Sequence, residues 1–272
     1  MIEKITQYYF QFADHRAVRF MPRIVYGFLF ILWLITLPYR AIIWGPDNVL
    51  FRYGLANNFI ENAVLRLYYQ PELFPWIYYT YPIFLLISLL NHPLSFVARI
   101  LAWFCGLMLF SAAEHVYGLG IILLLQTALL LIPVHYESTS ASRRWLNSFS
   151  MLALRLQTII ILGTIAIFMW GSIQWKSGEA IYYLIHEPFR FRLPFHTMFG
   201  ESTMILKTIN YLLFAVISLL PITLIVRPTR FYSTLALLIT GIFCTLMYTN
   251  MAIGFALISL ALPWIDARER YD

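Results

Sequence analysis

The sequence predicts an all-α fold, a polytopic transmembrane bundle of about eight helices. Three observations predict it. Hydrophobic residues make up 61% of the 272-residue chain and charged residues only 12%. The mean hydropathy is +0.72. The apolar residues are gathered into repeated, nearly charge-free segments between Ile24 and Trp264. A soluble domain must cover its surface with polar groups, and this chain has too few. A lipid-facing bundle needs few, because its backbone polar groups are satisfied inside helices.

A helix needs about 20 mostly apolar residues to cross a bilayer. Segments of that kind run over residues 24–40, 74–90, 95–113, 117–133, 148–170, 204–226, 231–248 and 251–264. The last two share one apolar stretch broken by Tyr248, Thr249 and Asn250, the pattern of a tight hairpin. The final segment is short, and seven crossings are the alternative to eight. The organisation expected is an interfacial segment over residues 1–22, a transmembrane domain over 23–266 and a short polar tail over 267–272, with no soluble C-terminal domain. Residues 1–22 carry Lys4, Arg16 and Arg19 opposite Ile2, Ile5, Tyr9 and Phe12, which suits a helix lying in the interface. A frayed terminus is the other reading. No short apolar region with a small-residue cleavage site follows, so no signal peptide is expected.

The formal charge of +6 reads as membrane orientation. With the N-terminus inside, Arg99, Arg143, Arg144, Arg227, Arg230, Arg268 and Arg270 join the N-terminal cations on the inner side. The outer side holds Arg40, Arg52, Arg66, Lys176, Arg190, Arg192 and Lys207. The short connections follow the positive-inside rule, with both termini cytoplasmic. No basic cluster in a nucleic-acid-binding pattern accompanies the charge, so nucleic acid is not an expected partner; membrane lipids are. Cys105 and Cys244 both lie in spans and form no C-x-x-C, so no redox pair or metal site is expected. No matching inverted halves suggest a transporter, and no filter loop suggests a channel.

Two outer connections are longer: 41–73 carries the turn signal Trp44-Gly45-Pro46-Asp47 before a half-polar stretch that suits an interfacial helix, and 176–203 mixes aromatic and basic residues, as belongs at a headgroup boundary. Under the N-inside topology, His115, Trp170, Trp175 and Asn250 fall at the outer ends of their helices, which is either one wall of an outward-facing pocket or an ordinary interfacial belt. Adjacent Glu114 and His115 can act as a general acid or base, or sit as an interfacial pair. Arg155 and Gln157 lie inside the fifth span, where a cation costs about 2.5–3.5 kcal/mol at mid-membrane. Arg155 should therefore lock helix to helix, or contact an anionic headgroup. Lys207 and Asn210 share one face of the sixth span, Lys207 either snorkelling to headgroups or accepting a proton.

Leu154-Arg155-Leu156-Gln157, running through an apolar span to Trp175-Lys176-Ser177-Gly178, resembles the membrane domain shared by vitamin K-dependent γ-carboxylases and the bacterial HTTM proteins. There a Leu-Arg-x-Gln opens a transmembrane helix and a Trp-x-x-Gly closes it. Glu114-His115-Val116-Tyr117 with Gly120, His135-Tyr136 before a run of serines, and Pro263-Trp264 agree with that family in order, so the resemblance spans residues 19–264. It implies a carboxylase-like membrane domain in a bacterial inner membrane. The departures concern chemistry. Where the carboxylases place a lysine for proton chemistry on the reduced quinone, this chain has Trp170, and their histidine in the last hairpin corresponds to Asn250. An indole offers one N–H donor and accepts no proton. The expectation is a bundle without carboxylase activity that binds a quinone or lipid, using His115 and Glu114 in any catalysis and Arg155, Gln157, Trp170, Trp175, Asn250 and Lys207 in binding. The alternative is a non-catalytic structural or assembly subunit with a membrane-protein partner.

Overall fold

A computed structural model describes residues 16–40, 73–90, 92–111, 114–134, 140–187, 202–248 and 251–265. Almost all of these are helical, and no strand occurs among them. Of the expected interfacial segment over residues 1–22, residues 1–15 lie outside the described residues, as does the tail over 267–272, while residues 16–22 belong to the first long helix. The helices are α1 (Arg16–Thr36), α2 (Leu73–Leu89), α3 (Leu94–Ser111), α4 (Glu114–Leu131), α5 (Ala141–Gly171), α6 (Ile173–Ser177), α7 (Ala180–His186), α8 (Thr203–Ile225), α9 (Arg227–Met247) and α10 (Met251–Ala261). Short 3-10 turns extend α1 over Leu37–Tyr39 and α10 over Leu262–Trp264.

All eight apolar segments therefore fall on helices. Four of them, over Phe20–Tyr39, Ala141–Gly171, Thr203–Ile225 and Pro228–Met247, are long and apolar enough to cross a membrane. The other four apolar helices are shorter, between 10 and 17 residues. Length distinguishes them, because a helix rises about 1.5 Å per residue and the hydrocarbon core is about 30 Å thick.

The chain forms two compact units, residues 1–151 and 152–272, the division falling within α5. In the first, α1 packs on α2 and α4, and α3 packs on α2 and α4. Its core is rich in aromatic and polar groups: Tyr26, Tyr78, Tyr81 and Arg99 are all buried with Leu29, Leu85, Leu109, Phe110 and Leu124. Arg99, only 1% exposed, donates from Nη1 to the carbonyls of Leu131 and Val134 and lies over the Tyr26 ring. These carbonyls lie at and just beyond the end of α4, where a cation also meets the negative end of the helix dipole. The Tyr26 hydroxyl donates to the Ala128 carbonyl at 3.1 Å, tying α1 to the same helix.

Gly118 interrupts α4 with φ 56° and ψ −153°. Only glycine reaches that region without strain, so the turn carrying Glu114 and His115 is offset from the apolar run that follows.

The Tyr81 hydroxyl is fully buried and has no hydrogen-bond partner among the described residues. Such a group carries its desolvation cost with nothing in return. Tyr81→Phe is expected to raise the unfolding temperature in detergent, by the equivalent of about 1 kcal/mol; a fall would mean that the hydroxyl has an acceptor.

In the second unit, the C-terminal part of α5 and α8, α9 and α10 enclose a core of Leu162, Leu220, Leu224, Leu237, Leu260, Ala261 and Trp264. The α9–α10 hairpin is the tightest contact. Cβ atoms built on Gly241 would approach Ile258 Cγ1 at 2.7 Å and Ile258 N at 2.9 Å, and one on Gly254 would collide with the backbone nitrogen and Oγ1 of Thr245. Small residues let two membrane helices bring their backbones together in this way.

Candidate functional site

The residues singled out in the fifth span separate along α5. Arg155 and Trp170 are fifteen positions apart, about 22 Å of helix rise, so they serve opposite ends of the unit.

At the first end Arg155, 7% exposed, donates from Nε to the Pro263 carbonyl at 3.0 Å, and its guanidinium lies 5.0 Å from the centre of the Trp264 ring. Thr158, one turn on, donates to the Leu260 carbonyl at 3.0 Å. Arg230 approaches the same indole at 5.7 Å and donates from Nε and Nη2 to the carbonyls of Leu224 and Ile225, each at 3.0 Å. The two arginines thus hold the last carbonyls of α8 and of the α10 extension, groups that lack intrahelical donors. Of the two roles expected for Arg155, helix-to-helix locking is the one these contacts perform. Gln157 lies on the same stretch of α5 with both amide atoms buried and no partner among the described residues. Arg230 had counted only toward orientation; its position four residues after the α8–α9 break was the available signal.

At the opposite end, α8 presents one stripe: Lys207, Tyr211, Phe214 and Ser218 follow at helical spacing. α5 stops at Gly171, Ser172 is extended, and the chain resumes in α6. Trp175-Lys176-Ser177-Gly178 therefore closes the short α6, not the long span. Gly178 caps it with φ 83°, and its hydrogen face meets Lys207 Cγ and the Tyr211 ring, each 3.1 Å from where a Cβ would lie. Glycine is required there twice, for the left-handed conformation and for the approach. Asn210, fully buried, donates to the Trp175 carbonyl at 2.9 Å and accepts from the Ile181 amide at 3.3 Å. Tyr211 donates to the Lys176 carbonyl at 3.2 Å. Ile181 and Ile185 of α7 pack on Leu206. The segment expected as an outer connection thus begins as two helices clamped along the first turns of α8.

The aromatic groups gather beside this clamp, Trp175 stacked on Phe214 and Trp170 tilted against it. Phe214 lies 4.9 Å from the Trp170 ring and 6.5 Å from the Trp175 ring. The Trp170 indole N–H donates to Ser218 Oγ at 3.1 Å, yet 59% of the residue is exposed. Lys207 is exposed at the head of the stripe. Trp170 and Trp175 are therefore brought together on Phe214, with Lys207 about two turns away on the same face of α8, and Tyr211, Phe214 and Ser218 are members that a search for charged or catalytic residues passes over. Their signal was the spacing of polar and aromatic side chains down one face of an apolar helix. The arrangement offers a ring-stacking face with a cation at one end, and position 170 supplies a committed donor rather than a base.

Glu114 and His115 begin α4 in the first unit; their side chains and the whole of Asn250 lie outside the described residues. Among the described residues no cluster of His, Cys, Asp or Glu could hold a metal ion. No family model, curated protein or solved structure matches this chain.

Proposed function

We propose that the protein is a multi-pass membrane protein of the HTTM and γ-carboxylase-like type that binds an amphipathic molecule, a quinone or a lipid, without carboxylating a substrate. The single observation that carries the binding reading is the exposed Trp170 ring set against the half-buried Phe214 and Trp175 rings, with Lys207 exposed on the same face of α8. A flat or chain-like apolar group lies against such a face, and an ammonium suits a headgroup above it. The reading without carboxylation rests on Trp170, whose N–H is already given to Ser218 and which accepts no proton.

In this proposal all eight apolar helices cross a bacterial inner membrane with the N-terminus cytoplasmic. The three buried arginines support that topology. Arg99, Arg155 and Arg230 each hold carbonyls at the end of a helix that this topology brings to the cytoplasmic side. In this topology His115, with Glu114 beside it, and Asn250 fall at outer helix ends.

Extraction in mild detergent followed by mass spectrometry of bound molecules tests the reading. A quinone or lipid is expected with the wild-type protein and is expected to be lost in Trp170→Ala and Lys207→Ala. No bound molecule, with a stoichiometric protein partner instead, would mean that the bundle is an assembly subunit.

A further inference from the structure

We infer that Ser218 is a positioning residue that turns the Trp170 indole away from the headgroups and holds it as the inner wall of the amphiphile site; this rests on the binding reading above. Interfacial tryptophans keep their N–H toward the wet headgroup layer. Trp170 does the opposite. Its N–H points to Ser218, eleven positions along α8 from Lys207. Eleven residues are about 16 Å of rise, half of a hydrocarbon core about 30 Å thick when Lys207 marks the headgroup level. At that depth no water is available, and an indole N–H without an acceptor is costly. The Ser218 hydroxyl supplies the acceptor.

The surroundings place Trp170 in lipid rather than in the headgroup belt. Ile167, Phe168 and Ile173, its neighbours along the chain, are each more than 70% exposed and apolar. Phe214 covers one side of the indole at 4.9 Å, and the rest of the ring is open. The hydrogen bond and the stack together restrict the ring to one orientation. Without Ser218 the indole is free to rotate upward and offer its N–H to headgroups, which removes the wall. The ligand chemistry this favours is a ring or acyl chain lying inward of Lys207, with its polar end toward the ammonium.

The test uses the full chain in phosphatidylcholine vesicles, with added decyl-benzoquinone as a tryptophan quencher and with mid-chain-brominated phosphatidylcholine as a depth quencher. The Trp170 signal is the difference between the wild type and Trp170→Phe. In Ser218→Ala, both kinds of quenching of that signal are expected to fall, by up to about fivefold, the change in the orientation equilibrium for one hydrogen bond of about 1 kcal/mol. Ser218→Thr, which keeps the hydroxyl, is expected to restore both. Unchanged quenching in Ser218→Ala overturns the positioning role while leaving the binding reading intact. Benzoquinone quenching that is equal in the wild type and Trp170→Phe, with brominated lipid still reaching Trp170, overturns the binding reading instead.

Discussion

Gly254→Ala is expected to cost about 3 kcal/mol or more and to abolish recovery of folded protein from the membrane. The added methyl would enter the space held by the backbone nitrogen and Oγ1 of Thr245, and would lie 2.6 Å from the Gly241 carbonyl oxygen. Two of those three atoms are backbone, so no rotamer change relieves the clash. The hairpin itself must open. Opening it also draws Ile258 from Gly241 and disturbs the core that Leu260 and Ala261 share with Leu162 and Leu237. Gly163→Ala is the control, because a Cβ there meets nothing within 4 Å. That substitution is expected to be neutral or to stabilise α5 by up to about 1 kcal/mol through helix propensity. Thermal unfolding followed by size-exclusion chromatography in detergent measures both. A Gly254→Ala protein melting with the wild type would show that the two helices do not meet at this point.

The contrast between those glycines shows what was legible in the sequence. Apolar segments with few charges identify helices, because the membrane forces the backbone to bond within itself. All eight segments accordingly fall on helices. Nothing in Gly163 and Gly254 as letters separates a spacious site from a crowded one, because that difference is made by the partner helix. The ends of helices were less legible for a related reason. Trp175 reads as the end of the fifth span, whereas α5 stops at Gly171 and α6 intervenes. The break at Ser172 is held by Asn210 and Tyr211, residues 35 positions away from the carbonyls they bond.

Charge in the sequence reads as an expected orientation and does not reveal its structural role. Lys and Arg counts give a topology, yet Arg99 and Arg230 act as side-chain caps on helix ends that are distant or just completed in sequence. Capping needs a carbonyl within reach, and reach is a property of the fold. Trp170 shows the complementary case. Its chemistry, a donor that cannot serve as a base, follows from residue type alone. Its partner Ser218 does not, because serines are common in apolar helices, where most bond their own backbone.

Arg155→Ala is expected to destabilise the second unit by about 3 kcal/mol, from the lost charged hydrogen bond to Pro263 and the lost contact with Trp264. Both losses fall on the α10 extension, whose Pro263 carbonyl would lose its charged donor in an apolar surrounding. Arg155→Lys is expected to recover less than half of the stability. A lysine can donate to the carbonyl, but it has no planar group to lie along the indole while doing so. Arg230 touches the same ring from α9, so the two sites are coupled. In a double-mutant cycle with Arg230→Ala, the combined cost is expected to differ from the sum by at least about 0.5 kcal/mol, since the pair shares Trp264 as a partner. Any amphiphile bound near Trp170, as proposed above, should be retained by whatever fraction stays folded, because Arg155 lies about 22 Å along α5 from that position. An Arg155→Ala protein of wild-type stability that has lost its bound molecule would reverse the assignment, making Arg155 a ligand contact and not a lock between helices.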